Sequence, residues 1–287
     1  MDSVRLLVEA IEVGILVFSL VTPASPTLAP MWQWQTWQGL PYLTCGLLQN
    51  WQHGFFTQQF SPRLPEALVE ILHPEASAYR VKQVHGKQVL MPSEIAVNPD
   101  ADGIVSDREG QAVWVASADC TPVLIGDVQT GRVAAIHAGW RGTAQRIVPG
   151  AIARFLDCGS CLENLRVALG PAISGEVYQV AEQVAVEVCA TIAPRGQAGT
   201  SEAILEALEQ LPDSPLLDDA NPGKVRLDVR RVNRIQLKQL GIQDEQVAIA
   251  PYCTYQQPEY FFSYRRTQEK KVQWSGIVTS SQYSTLE

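Results

Sequence analysis

The chain has 287 residues, 46% of them hydrophobic, and carries 22 basic against 30 acidic side chains for a formal net charge of −8. That apolar fraction excludes a disordered or collagen-like chain, and the acidic balance argues against nucleic acid as a partner, because phosphate-backbone binders draw their affinity from Lys and Arg. Six cysteines, at 45, 120, 158, 161, 189 and 253, are too sparse and irregular for a disulfide framework and read as the reduced thiols of a cytoplasmic protein.

Residues 13–21 form an apolar stretch too short to span a bilayer. The twelve residues before it hold Arg5 against Asp2, Glu9 and Glu12, the reverse of a secretion leader. The expectation is a peripheral extension over 1–30, ended by a proline-rich run, then one domain over 31–280 and a tail over 281–287, with no membrane partner. From Trp32 onward β-branched runs predict strands at 113–116, 122–125, 132–136, 165–169, 246–249 and 272–278. The spacing of Val177, Val180, Ala181, Val184 and Val188 predicts one helix face. A second helix is predicted from an Asp228 N-cap through Val232, Ile235 and Leu240 to Gly241, its Arg, Lys and Gln side chains turned to water. A shorter one covers 201–211, and 212–224 reads as a surface loop.

Polar side chains of chemical interest interrupt the apolar runs at three places. His85 stands in a glycine turn within VKQVHGKQV, Asp119 and Cys120 lie between two apolar runs, and His137 ends a strand in VAAIHAGWRGT. The turn after His137, with Arg141 and Gly142 ahead of a predicted helix, is a candidate anion site. A glycine turn with a surface arginine is the plainer explanation. His85, Cys120 and His137 can be read together as three nitrogen and sulfur ligands from separate strand ends, the open set of a catalytic zinc. Taken singly, each histidine is an ordinary turn residue and Cys120 a buried small hydrophobe. The Cys158–Cys161 pair lacks partners for a metal site, whereas Cys253 follows a strand that can bring it to the same cleft. The aromatic run 260–264 ahead of Arg265 and Arg266 suits either base stacking with anion binding or an edge strand.

QVHG at 83–86, ADG at 101–103, ADC at 118–120, AAIHAGWRGT at 134–143, LGPAI at 169–173, CTY at 253–255 and FFSYRR at 261–266 together resemble the laccase-domain family. Its members, once described as multicopper polyphenol oxidases, are now described as purine nucleoside phosphorylases. The resemblance runs from about Trp32 to Ile277. It implies a single α/β (α+β) domain of layered mixed β-sheets flanked by helices, an αββα-like sandwich. It further implies a zinc ion on the residues matching His85, Cys120 and His137. The implied reaction cleaves adenosine, inosine, guanosine and S-methyl-5′-thioadenosine with inorganic phosphate, with adenosine deamination as a side activity. Arg141, Gly142 and Arg265 are then the expected substrate contacts, and Asp119 a proton carrier or ligand orienter. Gln58 stands where the family usually has an arginine in a Thr-Thr-Arg-like turn; a weaker phosphorylase and replacement by Arg63 both stay open.

Four histidines cannot serve a multicopper oxidase. A mononuclear copper phenol oxidase stays open at the same three ligands. So does a metal-free hydrolase with Cys120 as nucleophile and His137 or His85 as base, and so does a binding module without turnover.

Overall fold

The computed structural model describes residues 31–95, 99–193 and 201–279. The extension over 1–30 and the tail over 281–287 lie outside the described residues. One six-stranded sheet has the spatial order Trp32–Trp37, Leu40–Cys45, His53–Phe56, Gln273–Val278, Gln111–Ser117, Ser77–Tyr79. Its pairings are antiparallel except the last, which is parallel. A second six-stranded sheet runs Val247–Ile249, Leu165–Leu169, Thr121–Asp127, Val133–Ala138, Gly103–Val105, Val89–Leu90. Here the two outermost pairings are parallel and the inner three antiparallel. A three-stranded antiparallel sheet of Gln179–Ala181, Lys224–Leu227 and Leu216–Asp218 stands apart from both.

Side-chain alternation turns these sheets into layers. In Gln111–Ser117, Val113 and Val115 face the core between the large sheets, with Leu124 and Ala135 from the second sheet. Ala112 and Trp114 face the other way, onto Leu68 and Leu72 of helix Pro65–Leu72. In the second sheet Val123, Ile125, Ala134 and Ile136 face helix Ile147–Asp157 and Leu237 of helix Val229–Leu240. The result is the expected helix–sheet–sheet–helix sandwich. Each such fully buried aliphatic side chain contributes roughly 1.5–3 kcal/mol over leaving it in water.

The six predicted strands all form, with ends shifted by at most two residues. Asp228 caps its helix as expected, accepting from the backbone nitrogens of Arg230 and Arg231, and Gly241 closes it at φ 102°. Three expectations need correction. The helix predicted from Val177 starts at Glu182, because Gln179–Ala181 pairs with Lys224–Leu227; valines spaced by three or four suit both states, and tertiary pairing decides. Strand Leu216–Asp218 forms within the predicted loop 212–224. The polar side chains of the capped helix do not all face water. Arg230 is buried against Asp228 at 2.9 Å. Asn233 donates to Thr143 Oγ1 at 3.1 Å and Gln236 to the Thr143 carbonyl at 3.0 Å. Those buried amides brace the segment that follows His137.

Candidate metal centre and its cleft

Strand register brings the three expected ligands together. Thr121–Asp127 pairs with Val133–Ala138 so that Pro122 lies opposite His137 and Thr121 opposite Ala138. Cys120, one residue ahead of the first strand, therefore sits beside the end of the second. Gly103–Val105 pairs on the other edge of Val133–Ala138, Gly103 opposite Ile136, which sets Asp102 against His137. The His137 backbone nitrogen donates to the Asp102 carbonyl at 2.7 Å, and its Nδ1 lies 2.8 Å from Asp102 Oδ1. The same carboxylate accepts from the backbone nitrogens of Val84 (3.1 Å), His85 (2.9 Å) and Gly86 (2.7 Å). Three successive N–H groups form a nest around one buried anion. That nest holds the turn with His85 at φ 60°.

One donor atom from each of His85, Cys120 and His137 can be chosen so that all lie within 4.8 Å of one another. The two imidazole rings meet edge to face with centroids 4.8 Å apart. Asp102 occupies Nδ1 of His137 and leaves Nε2 for a metal. Space at the sulfur depends on Gly139, where a Cβ would stand 2.7 Å from Cys120 Sγ. Burial opposes ionisation of Cys120, but the charge of His137 and hydrogen bonds from both imidazoles pull its thiol down to about 6. Burial likewise opposes charge on His137, yet Cys120 and Asp102 raise it to about 9. Burial disfavours an Asp102 anion, but the bonds to His137 and the 84–86 backbone hold its carboxyl below the usual range. A thiolate with two imidazoles is a donor set for zinc or copper, and three donors is the count of an open, catalytic site. Among the described residues this is the single such group. His53 is committed to backbone groups of Cys45 and Trp51, and His73 caps helix Pro65–Leu72.

His85, Cys120 and His137 line a cleft of about 830 Å³ together with Trp140, Arg141, Tyr178, Tyr264 and Arg265. Arg141 is exposed and lies 4.3 Å from the centroid of Trp140. The Arg265 guanidinium sits 4.8 Å over Tyr178 and donates to the Gln179 carbonyl at 2.9 Å. Gly142 does not line the cleft. It is buried where a Cβ would press within 3.0 Å of the Gly86 carbonyl, so it serves close packing of the two turns. Helix Trp140–Ala144 has five residues, too few for the expected dipole effect to carry an anion site. Asp119, at φ 87°, accepts from Thr254 Oγ1 and from the Arg265 backbone nitrogen, each at 2.7 Å. It orients the Arg265 segment, while the imidazole is oriented by Asp102.

Cys253 is not in this cleft; it accepts from the Ser174 nitrogen at 3.3 Å and lines a separate cavity of about 450 Å³ beside Arg230. Residues 260–264 form no edge strand, since Tyr260 stacks on Trp34 at 4.6 Å and Tyr264 begins a short helix. Gln58 is tied to the Pro258 carbonyl, and Arg63 lies 5.5 Å from the Trp37 centroid, both away from the cleft. Sequence reasoning singled out neither Asp102 nor Tyr178. For Asp102 a signal existed: an acid between Ala101 and Gly103 at the mouth of a short apolar strand.

A family model described as multi-copper polyphenol oxidoreductase laccase matches residues 65–280. A purine nucleoside phosphorylase of Synechocystis sp. is 56% identical over 257 residues, covering 87% of this chain and 97% of that protein. An adenosine deaminase from an unknown prokaryotic organism is 30% identical over 165 residues, 58% of this chain and 56% of the other. YlmD from Geobacillus stearothermophilus superposes with a TM-score of 0.71 at 22% identity, covering 86% of this chain and 99% of that one, and shares the fold. The match over most of the sandwich, added to the identity with the Synechocystis protein, places the chain in the multi-copper polyphenol oxidoreductase laccase family.

Proposed function

We propose that residues 31–280 form a zinc-dependent purine nucleoside phosphorylase of the cytoplasm. Its substrates in this reading are adenosine, inosine, guanosine and S-methyl-5′-thioadenosine with inorganic phosphate, and adenosine is also deaminated. The observation that carries the proposal is the His85, Cys120 and His137 cluster opening on a cleft with two arginines whose guanidinium groups have no carboxylate partner among the described residues. The phosphorylase name of a 56% identical relative and the deaminase name of a 30% identical one support the two activities. No helix among the described residues is long and apolar enough to cross a membrane.

The donor set fits a metal, because Gly139 clears the sulfur and Asp102 fixes the imidazole tautomer. Zinc held by His85, Cys120 and His137 supplies Lewis acidity. The chain's own groups do the positioning. Arg141 and Arg265 hold phosphate against the anomeric carbon, where one of its oxygens bonds C1′ as the bond to the purine nitrogen breaks. Tyr264, exposed in the cleft, offers a ring to the purine. His137 also stands between Cys120 and Asp102 in the order of a cysteine hydrolase triad, which is the second reading.

Metal analysis and chromatography of adenosine products with and without phosphate test both. One zinc per chain, with phosphate-dependent ribose 1-phosphate lost in Cys120→Ala and His137→Ala, is the expected result. Copper in place of zinc would point to phenol oxidation. A metal-free protein that cleaves without phosphate would establish the hydrolase.

A further inference from the structure

Tyr178 has no part in the reading above beyond lining the cleft. Its ring is wedged between two fixed surfaces. One face packs with Trp140 and Ala144 against the core that holds Val188 and Val232. The Arg265 guanidinium lies 4.8 Å from the ring centroid. The backbone is pinned on both sides, its nitrogen donating to the Ser174 carbonyl at 3.0 Å and its carbonyl accepting from Leu227 at 3.1 Å. With two χ angles and a held backbone, the hydroxyl has little freedom left. Among the described residues no protein group hydrogen-bonds it, and the half-buried residue lines the cleft, so the hydroxyl is free to take a ligand as its partner. Tyr79, likewise half-buried, is by contrast paired with Arg108.

The neighbourhood indicates what kind of ligand group the hydroxyl would meet. Arg141 and Arg265 line the same cleft, and neither is ion-paired to a carboxylate of the described residues. Arg265 donates one guanidinium bond to the Gln179 carbonyl, leaving donors over. Tyr178 lines the same cleft as both guanidinium groups, so its hydroxyl can add a third donor for an oxyanion bound there. Burial pushes the Tyr178 phenol up to about 12; Cys120 and Asp119 act in the same sense, Arg265 and Arg141 against it. The group is therefore a neutral donor in solution near pH 7.

We infer that Tyr178 is a substrate-contacting residue whose hydroxyl donates to the phosphate held between Arg141 and Arg265. The inference rests on the phosphorylase reading and names the group that completes its anion subsite. Tyr178→Phe is the informative variant, since it keeps the ring under Arg265 and removes one donor.

Two measurements on the metal-loaded protein separate the possibilities. Calorimetric titration with inorganic phosphate is expected to show binding weakened about tenfold or more in Y178F, the worth of one hydrogen bond to a charged group. In inosine phosphorolysis the KM for phosphate should rise by a similar factor, with KM for inosine little changed. Unchanged phosphate affinity in Y178F overturns the inference, as does an effect confined to KM for inosine or to kcat. A wild type that binds phosphate but cleaves no nucleoside refutes the phosphorylase reading, and the titration alone then decides on Tyr178. Equal melting temperatures for the two proteins show that the ring still packs.

Discussion

Asp102 ties two of the three metal-ligand candidates to one carboxylate: its Oδ1 lies 2.8 Å from His137 Nδ1 and 2.9 Å from the backbone nitrogen of His85. His137 is thereby fixed through its ring and His85 through its turn. Cys120 needs no such tether, because the pairing of Thr121 with Ala138 already places it. A single buried anion thus makes the spacing of the imidazoles a property of the sheet rather than of two independent loops.

Asp102→Asn should keep the fold and lose metal affinity. The amide keeps the size of the carboxylate but turns a donor toward N–H groups of residues 84–86, so the nest cannot be filled as before. Loss of a group that orients a metal ligand typically costs about 10–100-fold in affinity. Competition with a chelator of known zinc affinity measures it. A variant that holds zinc as tightly as the wild type would show that Asp102 does not set the ligand geometry.

Strands such as Leu165–Leu169 were legible because β-branched and leucine runs between turn signals have few alternatives. The grouping of His85, Cys120 and His137 was legible because metal-binding types at strand ends are rare in a chain with four histidines. Their tether was not, since Asp102 acts through backbone nitrogens 16 to 18 residues away, and any residue type donates those. Gly142 misled for a related reason: a glycine in a turn suits both anion approach and close packing, and only the Gly86 carbonyl beside it distinguishes them. Val180 went to a strand because its partner Val225 lies 45 residues on.

In metal-stripped protein, Cys120 should alkylate as a thiolate well below the usual thiol range. His137 and His85 overcome the burial penalty and bring its pKa to about 6 from 9, so the rate should climb through about pH 6 and level off above it. Added zinc should suppress the reaction by occupying the sulfur. Iodoacetamide labelling at fixed times, read at the Cys120 peptide by mass spectrometry, gives the profile. A rate that keeps rising through pH 9 would contradict the electrostatic account.

His53 should make the fold acid-sensitive independently of the site. Burial lowers its pKa from 6.5 to about 4, despite the bond to the Trp51 carbonyl. Between those values the unfolded chain binds a proton that the folded chain does not, so stability is full above pH 6.5 and falls as the pH drops toward 4. At roughly 1.4 kcal/mol per pH unit the loss approaches about 3 kcal/mol. His53→Gln retains a donor and an acceptor for Trp51 and Cys45 without titrating. Urea midpoints at pH 7.5 and 4.5 should diverge more in the wild type than in this variant; equal divergence would clear His53 of the effect.

Two glycines offer a steric test of the metal centre. Gly139 has φ −73°, which alanine adopts freely, so Gly139→Ala changes only the space near the ligands. Its Cβ would lie 2.7 Å from Cys120 Sγ and 3.4 Å from His85 Cδ2, so a ligand must move. Gly150, exposed within helix Ile147–Asp157, has nothing within 4 Å of a built Cβ. Gly150→Ala should therefore raise stability by about 0.5–1 kcal/mol through backbone entropy, with metal content unchanged. Gly139→Ala should bind zinc at least tenfold more weakly than the wild type, since displaced donors no longer converge on one ion. Chelator competition and thermal melts on both variants measure the contrast, and full zinc affinity in Gly139→Ala would mean that the ion does not depend on the present position of Cys120 Sγ.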